Sequence, residues 1–272
     1  MLTRNMYFVR NEQTNGYLKA FLVWTAIGLF LAGCHKTEAT AAKSVAVSKR
    51  QNIVVLLDKT ASVKDQLGVF RSAVNKIVSS LKPGDSFKLA EITGSSAADF
   101  DFVLRTRIPE DPTYSVLETN ESEYKDAVAQ LNSKREALKK TILEQVNAEL
   151  TKKPSAMQTD LFGAIYTASL FLSQQKGQKT LVILSDMIEE NNHWRFNRVH
   201  WTQALKNRIL AREDKLHLIP DMHGINVYVV GARGQTLEVM QNIRDFWVSY
   251  FNKAGATLSP DHYAHTLLNW SE

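Results

Sequence analysis

With one cysteine in 272 residues, the chain has no disulfide framework. Its 6 prolines and 12 glycines are too few for a low-complexity or collagen-like chain. No apolar run reaches the roughly 20 residues that cross a bilayer, which excludes a polytopic membrane protein. Neither sign of charge prevails: 33 Lys and Arg stand against 28 Asp and Glu, a net +5 that gives no footprint for nucleic acid. No internal repeat is visible. What remains is a globular composition, 44% hydrophobic and 22% charged. It is rich enough to bury a core and long enough for one large domain or two small ones.

The first 33 residues read as an export signal. Arg4, Arg10 and Lys19 face a single acid, Glu12, and the apolar run Ala20 to Leu31 follows. Leu31-Ala32-Gly33-Cys34 resembles the bacterial lipobox. The resemblance implies cleavage before Cys34 and acylation of its thiol, which also gives a use to an otherwise odd cysteine. The mature chain 34–272 would keep 30 bases against 27 acids. The expected location is the bacterial cell envelope, with the chain lipid-anchored to the membrane through Cys34. His35 after the cysteine points to the outer membrane, or a periplasm-facing site, in a Gram-negative cell. Residues 34–50 are small, polar and aperiodic, as in a tether.

Beyond residue 50 the pattern becomes that of a folded domain. Ile53 to Leu57 is a continuous apolar run rich in β-branched residues, as in a strand covered on both faces. It ends at Asp58. Residues 66–81 place Leu67, Phe70, Val74, Ile77, Val78 and Leu81 on one helical face. After the Lys82-Pro83-Gly84-Asp85 turn, Phe87 to Ile92 and 100–108 read as two short strands forming an antiparallel edge pair. Residues 119–153 carry an amphipathic helix rich in Glu, Lys, Gln and Ala. Arg135 interrupts its apolar seam, which favours a surface helix packed on the domain over a coiled coil. A helix at 160–175, a strand at 180–185 ending at Asp186, a helix at 197–213, a strand at 225–231 and a helix at 236–254 complete the series. The tail 257–272 suits either an edge strand or a short helix. Buried strands alternating with amphipathic helices predict a three-layer α/β, Rossmann-like fold over 51–256. Its sheet would be mainly parallel, with helices on both faces and a helical insertion at 119–153. Ligands in such folds sit beyond the carboxyl ends of the strands, which singles out Asp58 and Asp186.

Asp58-Lys59-Thr60-Ala61-Ser62 places an acid and two hydroxyls at alternate positions after the first strand. In a tight loop these three oxygen side chains converge. An all-oxygen set suits a hard cation such as Mg²⁺, and neutral hydroxyls leave that ion electrophilic. The pattern resembles the von Willebrand factor type A domain with its metal-ion-dependent adhesion site. That family carries D-x-[ST]-x-S after its first strand, matched by Asp58, Thr60 and Ser62. A lone Thr before a helix is matched by Thr159, with Asp160 and Leu161 following. An Asp closing a later hydrophobic strand, usually as T-D-G, is matched in part by Ser185-Asp186-Met187, with methionine in the glycine position. The resemblance spans roughly 52–255. It implies direct binding of Mg²⁺ (or Mn²⁺ or Ca²⁺) by Thr60, Ser62 and Thr159, with Asp58 and Asp186 nearby. It also implies a protein ligand that completes the shell with an Asp or Glu carboxylate, and no enzymatic activity. Methionine at 187 leaves open how the last loop turns.

Other patterns compete. D-K-T-A-S echoes the D-K-T-G-T motif of P-type ATPases and the haloacid dehalogenase group, in which Asp58 would attack phosphate with Mg²⁺ assisting. Ala61 replaces that motif's glycine, and no second acid follows two residues after Asp58. A third alternative is a structural lipoprotein whose metal site is vestigial. His262 and His265, three apart, lack the partners of a zinc site and read as a surface pair. Glu189-Glu190 either rims the site or is solvated charge. Trp194 and Trp201 read as packing residues. Gly231-Ala232-Arg233-Gly234 lacks the G-x-G-x-x-G pattern and reads as a strand-to-helix turn.

Overall fold

The computed structural model describes residues 50–113, 120–153 and 157–270. Cys34, the leader 1–33 and nearly all of the tether 34–50 lie outside the described residues. Among those described, no helix is long and apolar enough to cross a membrane.

Strand β1 (Gln51–Asp58) is buried from Asn52 to Asp58 and forms the centre of the sheet. A 3-10 turn (Ala61–Gln66) leads from it into helix α1 (Leu67–Ser80). Strand β2 (Ser86–Ile92) follows, then a one-turn helix α2 (Ser96–Asp99) and strand β3 (Phe102–Arg107). The long helix α3 (Glu121–Thr151) precedes α4 (Leu161–Ser173) and β4 (Gln178–Leu184). Helix α5 (Gln203–Lys215), β5 (Ile225–Val230), α6 (Leu237–Lys253) and a two-residue strand β6 (Tyr263–Ala264) close the chain.

The sheet order is β3-β2-β1-β4-β5-β6. Only the β2–β3 pair is antiparallel, as the edge-pair reading required. The expected α/β fold with a mainly parallel sheet and helices on both faces is the observed one. Alternate residues of β1 serve opposite layers, because successive side chains of a strand point to opposite faces. Ile53, Val55 and Leu57 join a cluster with Phe70, Val74, Ile77 and Val78 of α1, and with Ile142, Val146 and Leu150 of α3. Val54 and Leu56 join a second cluster with Leu161, Phe162 and Ile165 of α4, and with Phe246, Trp247 and Tyr250 of α6.

Three local readings are refined. Helix α5 starts at Gln203 rather than 197, because the Thr202 hydroxyl accepts the Leu205 N–H (3.1 Å) and caps it there. Arg135 is not a flaw in the seam of α3 but a buried anchor. Its guanidinium bonds Pro109 O (2.9 Å), Asn132 Oδ1 (2.7 Å) and Asp111 Oδ1 (2.8 Å). The tail supplies both elements that its sequence allowed. A 3-10 turn (Pro260–His262) leads into β6 beside β5, and Trp270 then packs near Tyr228 and donates to Ser80 Oγ of α1 (2.8 Å).

Candidate functional site

Strand β1 has β2 on one side and β4 on the other, so the direction of winding reverses between β1 and β4. That crevice, at the carboxyl ends of the strands, is where α/β sheets leave room for ligands. Asp58 ends β1 there, and Ser185-Asp186 follows β4. The Ser185 hydroxyl donates across the crevice to Asp58 Oδ2 (2.7 Å). Asp58 Oδ1 accepts the Thr60 N–H (2.8 Å) and the Thr60 hydroxyl (2.7 Å). The Ser62 hydroxyl lies 3.0 Å from that of Thr60. Asp58 and Thr60 are buried and Ser62 is exposed, so the hydroxyl pair opens towards solvent. Because Thr60 spends its proton on Asp58, its oxygen keeps lone pairs for a cation.

Asp186 is buried, and its Oδ1 accepts the Ile188 N–H (3.0 Å). Its Oδ2 is buried with no hydrogen-bond partner, and the Nε of Arg233 stands 4.0 Å away. Burial, and then the charge of Asp58, push its carboxyl up to about 6, against opposing pulls from the Ile188 N–H, the Ser62 hydroxyl and Arg233. Burial also raises Asp58, while hydrogen bonds from Thr60 and Ser185 hold it down. Two acids forced together out of water, one with an unpartnered oxygen, form a site short of positive charge.

Thr159 is buried just before α4, on a two-way backbone bridge with Glu190: its N–H donates to Glu190 O (2.7 Å) and its O accepts the Glu190 N–H (3.1 Å). This bridge ties the loop before α4 to the loop after β4, at the same end of the sheet. Asp160 caps α4 by accepting the Gly163 N–H (2.9 Å). Gly163 has to lack a side chain, because a Cβ there would lie 2.3 Å from Asp160 Oδ2 and 2.6 Å from Ala97 N.

Met187 answers the question of the missing glycine. It adopts φ 64°, the left-handed region that glycine enters freely. Its side chain is fully buried, its N–H donates to Ser185 Oγ (3.0 Å) and its O accepts the Trp247 indole N–H (2.9 Å). Packing and two hydrogen bonds hold the turn that a glycine makes by default.

Among the described residues, no group of three or more His, Cys, Asp and Glu side chains forms a metal-ligating cluster. Asp58, Asp186 and the hydroxyls of Thr60 and Ser62 are instead a small all-oxygen set, the chemistry of a Mg²⁺-type site rather than of zinc.

No protein-family model matches the sequence, and no curated protein matches it. Solved structures with a similar fold include the pilus adhesin SpaC of Lactobacillus rhamnosus GG in an open conformation. It is 14% identical with a TM-score of 0.44, and the match covers 80% of this chain and 28% of that one. Another is a von Willebrand factor type A protein of Catenulispora acidiphila, 12% identical with a TM-score of 0.38, covering 78% of this chain and 38% of that one. The chain thus spans under two fifths of either.

Several residues of this end escaped the sequence reading. Arg233 donates to Asp65 Oδ2 (2.6 Å) while facing Asp186, and so links the 3-10 turn to the β4 loop. Its signal was present: a lone base directly after a buried strand, at the ligand end of the sheet. Lys59 is buried and bonds Glu91 Oε1 (2.7 Å), with Glu149 Oε2 of α3 at 3.8 Å. Glu189 neither rims the site nor is solvated. It is fully buried, accepting the Leu161 N–H (2.8 Å) and the Asn191 amide (2.6 Å). Burial, then the charges of Asp160 and Glu213, raise its carboxyl well above the usual range. The tryptophans pack as expected: Trp201 lies edge-on to Phe196, and Trp194 donates to Glu213 (2.8 Å). His262 stacks on Tyr228, and His265 is exposed.

Proposed function

We propose that this domain is a non-enzymatic protein-binding module held at the bacterial cell envelope by lipid on Cys34. Its ligand end takes a divalent cation, Mg²⁺ by preference with Mn²⁺ or Ca²⁺ as substitutes, and a protein partner adds an Asp or Glu carboxylate. The observation that carries this reading is the buried Oδ2 of Asp186, without a hydrogen-bond partner and with only Arg233 at 4.0 Å, beside Asp58 and the Thr60–Ser62 hydroxyl pair. The hydroxyls of Thr60, Ser62 and Thr159 would hold the ion, with Asp58 and Asp186 supplying negative charge around it. When bound, the ion offers the partner an electrophilic centre for an anionic oxygen. The chain's own residues do the rest: Asp58 orients Thr60, Ser185 fixes Asp58, and exposed Ser62 leaves the approach open.

Asp58 is poorly disposed as the nucleophile of a phosphohydrolase. It is fully buried and both its oxygens accept hydrogen bonds, so neither is presented to an incoming phosphate. Isothermal titration of Mg²⁺ and Mn²⁺ into the protein and into folded Asp58→Ala and Asp186→Asn variants tests the proposal. The expected result is saturable binding by the parent and its loss in both variants. Heat-silent, unsaturable titrations of the parent would favour a vestigial site.

A further inference from the structure

Beside the hydroxyl pair lies a cavity of about 620 Å³, within the roughly 300–1,000 Å³ range of binding pockets. Thr60 belongs to both, so the cavity adjoins the candidate metal site. Val63, Leu67 and Leu150 give it apolar lining. Of its nine lining residues four are lysines and none is acidic. Lys59 is neutralised by Glu91 (2.7 Å), and Lys152 by Glu149 (2.5 Å). Lys64 and Lys153 are exposed and form no ion pair with any described residue. One wall is the 3-10 turn after β1, and the other is the last turn of α3. The helix inserted between β3 and α4 therefore builds this cavity together with the metal loop.

We infer that the cavity receives the segment of the partner next to its metal-binding carboxylate, and that this segment is acidic with an apolar side chain among its acids. The inference rests on the proposed metal reading and adds the character of the partner. Charge complementarity selects the occupant. An apolar side chain covers Val63, Leu67 and Leu150, and acids one or two residues further on meet Lys64 and Lys153. Exposed charges of this kind discriminate among ligands more than they tighten binding.

The test is fluorescence anisotropy with two labelled peptides, Gly-Ser-Asp-Leu-Glu-Glu-Gly-Ser and the same peptide with Lys-Lys in place of Glu-Glu. Each is titrated with the full chain in Mg²⁺ and in EDTA. The acidic peptide is expected to bind at least about tenfold more tightly than the basic one. A Lys64→Glu/Lys153→Glu variant, altered only at exposed positions, is expected to abolish or invert that preference. Equal binding of both peptides, binding of neither at millimolar concentration, or a preference that survives the double reversal would overturn the inference. Lysine-dependent binding to phosphatidylglycerol vesicles without discrimination between the peptides would overturn it in favour of a membrane surface. Mg²⁺ titration of the parent alone judges the metal reading. If it fails while the lysine-dependent preference persists in EDTA, the cavity stands and the metal step falls.

Discussion

The two sides of the sheet are packed with different materials. On the α1–α3 side the core is largely aliphatic, built from Ile53, Val55, Leu57, Val74, Ile77, Val78, Ile142 and Val146 around Phe70 and Phe87. On the α4–α6 side the rings of Phe162, Phe196, Phe246, Trp247, Tyr250 and Phe251 interlock. Trp247 lies 5.0 Å from Phe162 and 5.2 Å from Tyr250, centroid to centroid. The difference matters at the ligand end, because each side supports half of the site. The aromatic side holds the β4 loop through the Trp247–Met187 hydrogen bond and the buried Glu189 at the start of α4. The aliphatic side holds the Thr60–Ser62 loop through a 3-10 turn in which the buried Gln66 amide has no hydrogen-bond partner. Half of the site is thus pinned by rings and hydrogen bonds, while the other is held by the Thr60–Asp58 and Arg233–Asp65 hydrogen bonds over an unsatisfied Gln66 amide.

The sharpest way to break the contrast is Trp247→Ala. It removes a fully buried indole and the donor to Met187 O together, and we expect a loss of about 3–5 kcal/mol in urea unfolding. A small change on the other side, Ile77→Val, should cost about 0.5–1.5 kcal/mol and leave the proposed metal binding unchanged.

Between these stands the effect of pH. The Asp186 carboxyl is raised from 3.8 to about 6, so protons would compete with the proposed metal below pH 6. Mg²⁺ affinity should then fall by up to about tenfold per pH unit, read by titration calorimetry. The sign for metal-free stability is opposite to that of a salt-bridged acid. A folded value above the unfolded one makes ionisation destabilising, so Asp186 costs stability as pH rises from 3.8 through 6. Metal-free protein should therefore gain from Asp186 at pH 5 relative to pH 7.5, and Mg²⁺ should erase that difference.

The most discriminating test is at Met187. Met187→Gly relieves the left-handed backbone, a gain of about 1–2 kcal/mol, but loses a fully buried side chain at a cost of about 2–5 kcal/mol, a net loss. Met187→Ala loses the side chain and keeps the strain. Glycine should therefore be tolerated better than alanine, by about 1–2 kcal/mol in thermal or urea unfolding. Alanine matching or exceeding glycine would show that the aromatic side does not hold this turn under strain.

The sheet was legible because its central strands are covered on both faces and read as unbroken runs such as Ile53 to Leu57. The helices were legible through their periodicity, while their exact starts, set by caps such as Asp160, were not. The candidate site was legible in part, since Asp58 ends β1, Thr60 and Ser62 follow it at alternate positions, Thr159 stands before α4 and Asp186 after β4. What escaped was buried charge. Lys59, Arg135 and Glu189 lie inside because their partners stand on other elements: Glu91 on β2, Asp111 before α3, and the first backbone amide of α4. A charged letter in a sequence carries no mark of the distant group that neutralises it. The tail could be read only as an edge strand or a short helix, since the two residues of β6 are too few to show a period.

Met187 has a consequence for how such chains are found at all. A sequence pattern stores letters, but a loop is specified by torsion angles, and more than one letter can supply the same angle when the surroundings compel it. A pattern that demands glycine after the strand-closing aspartate passes over this chain, although its backbone takes the left-handed step for which glycine is used.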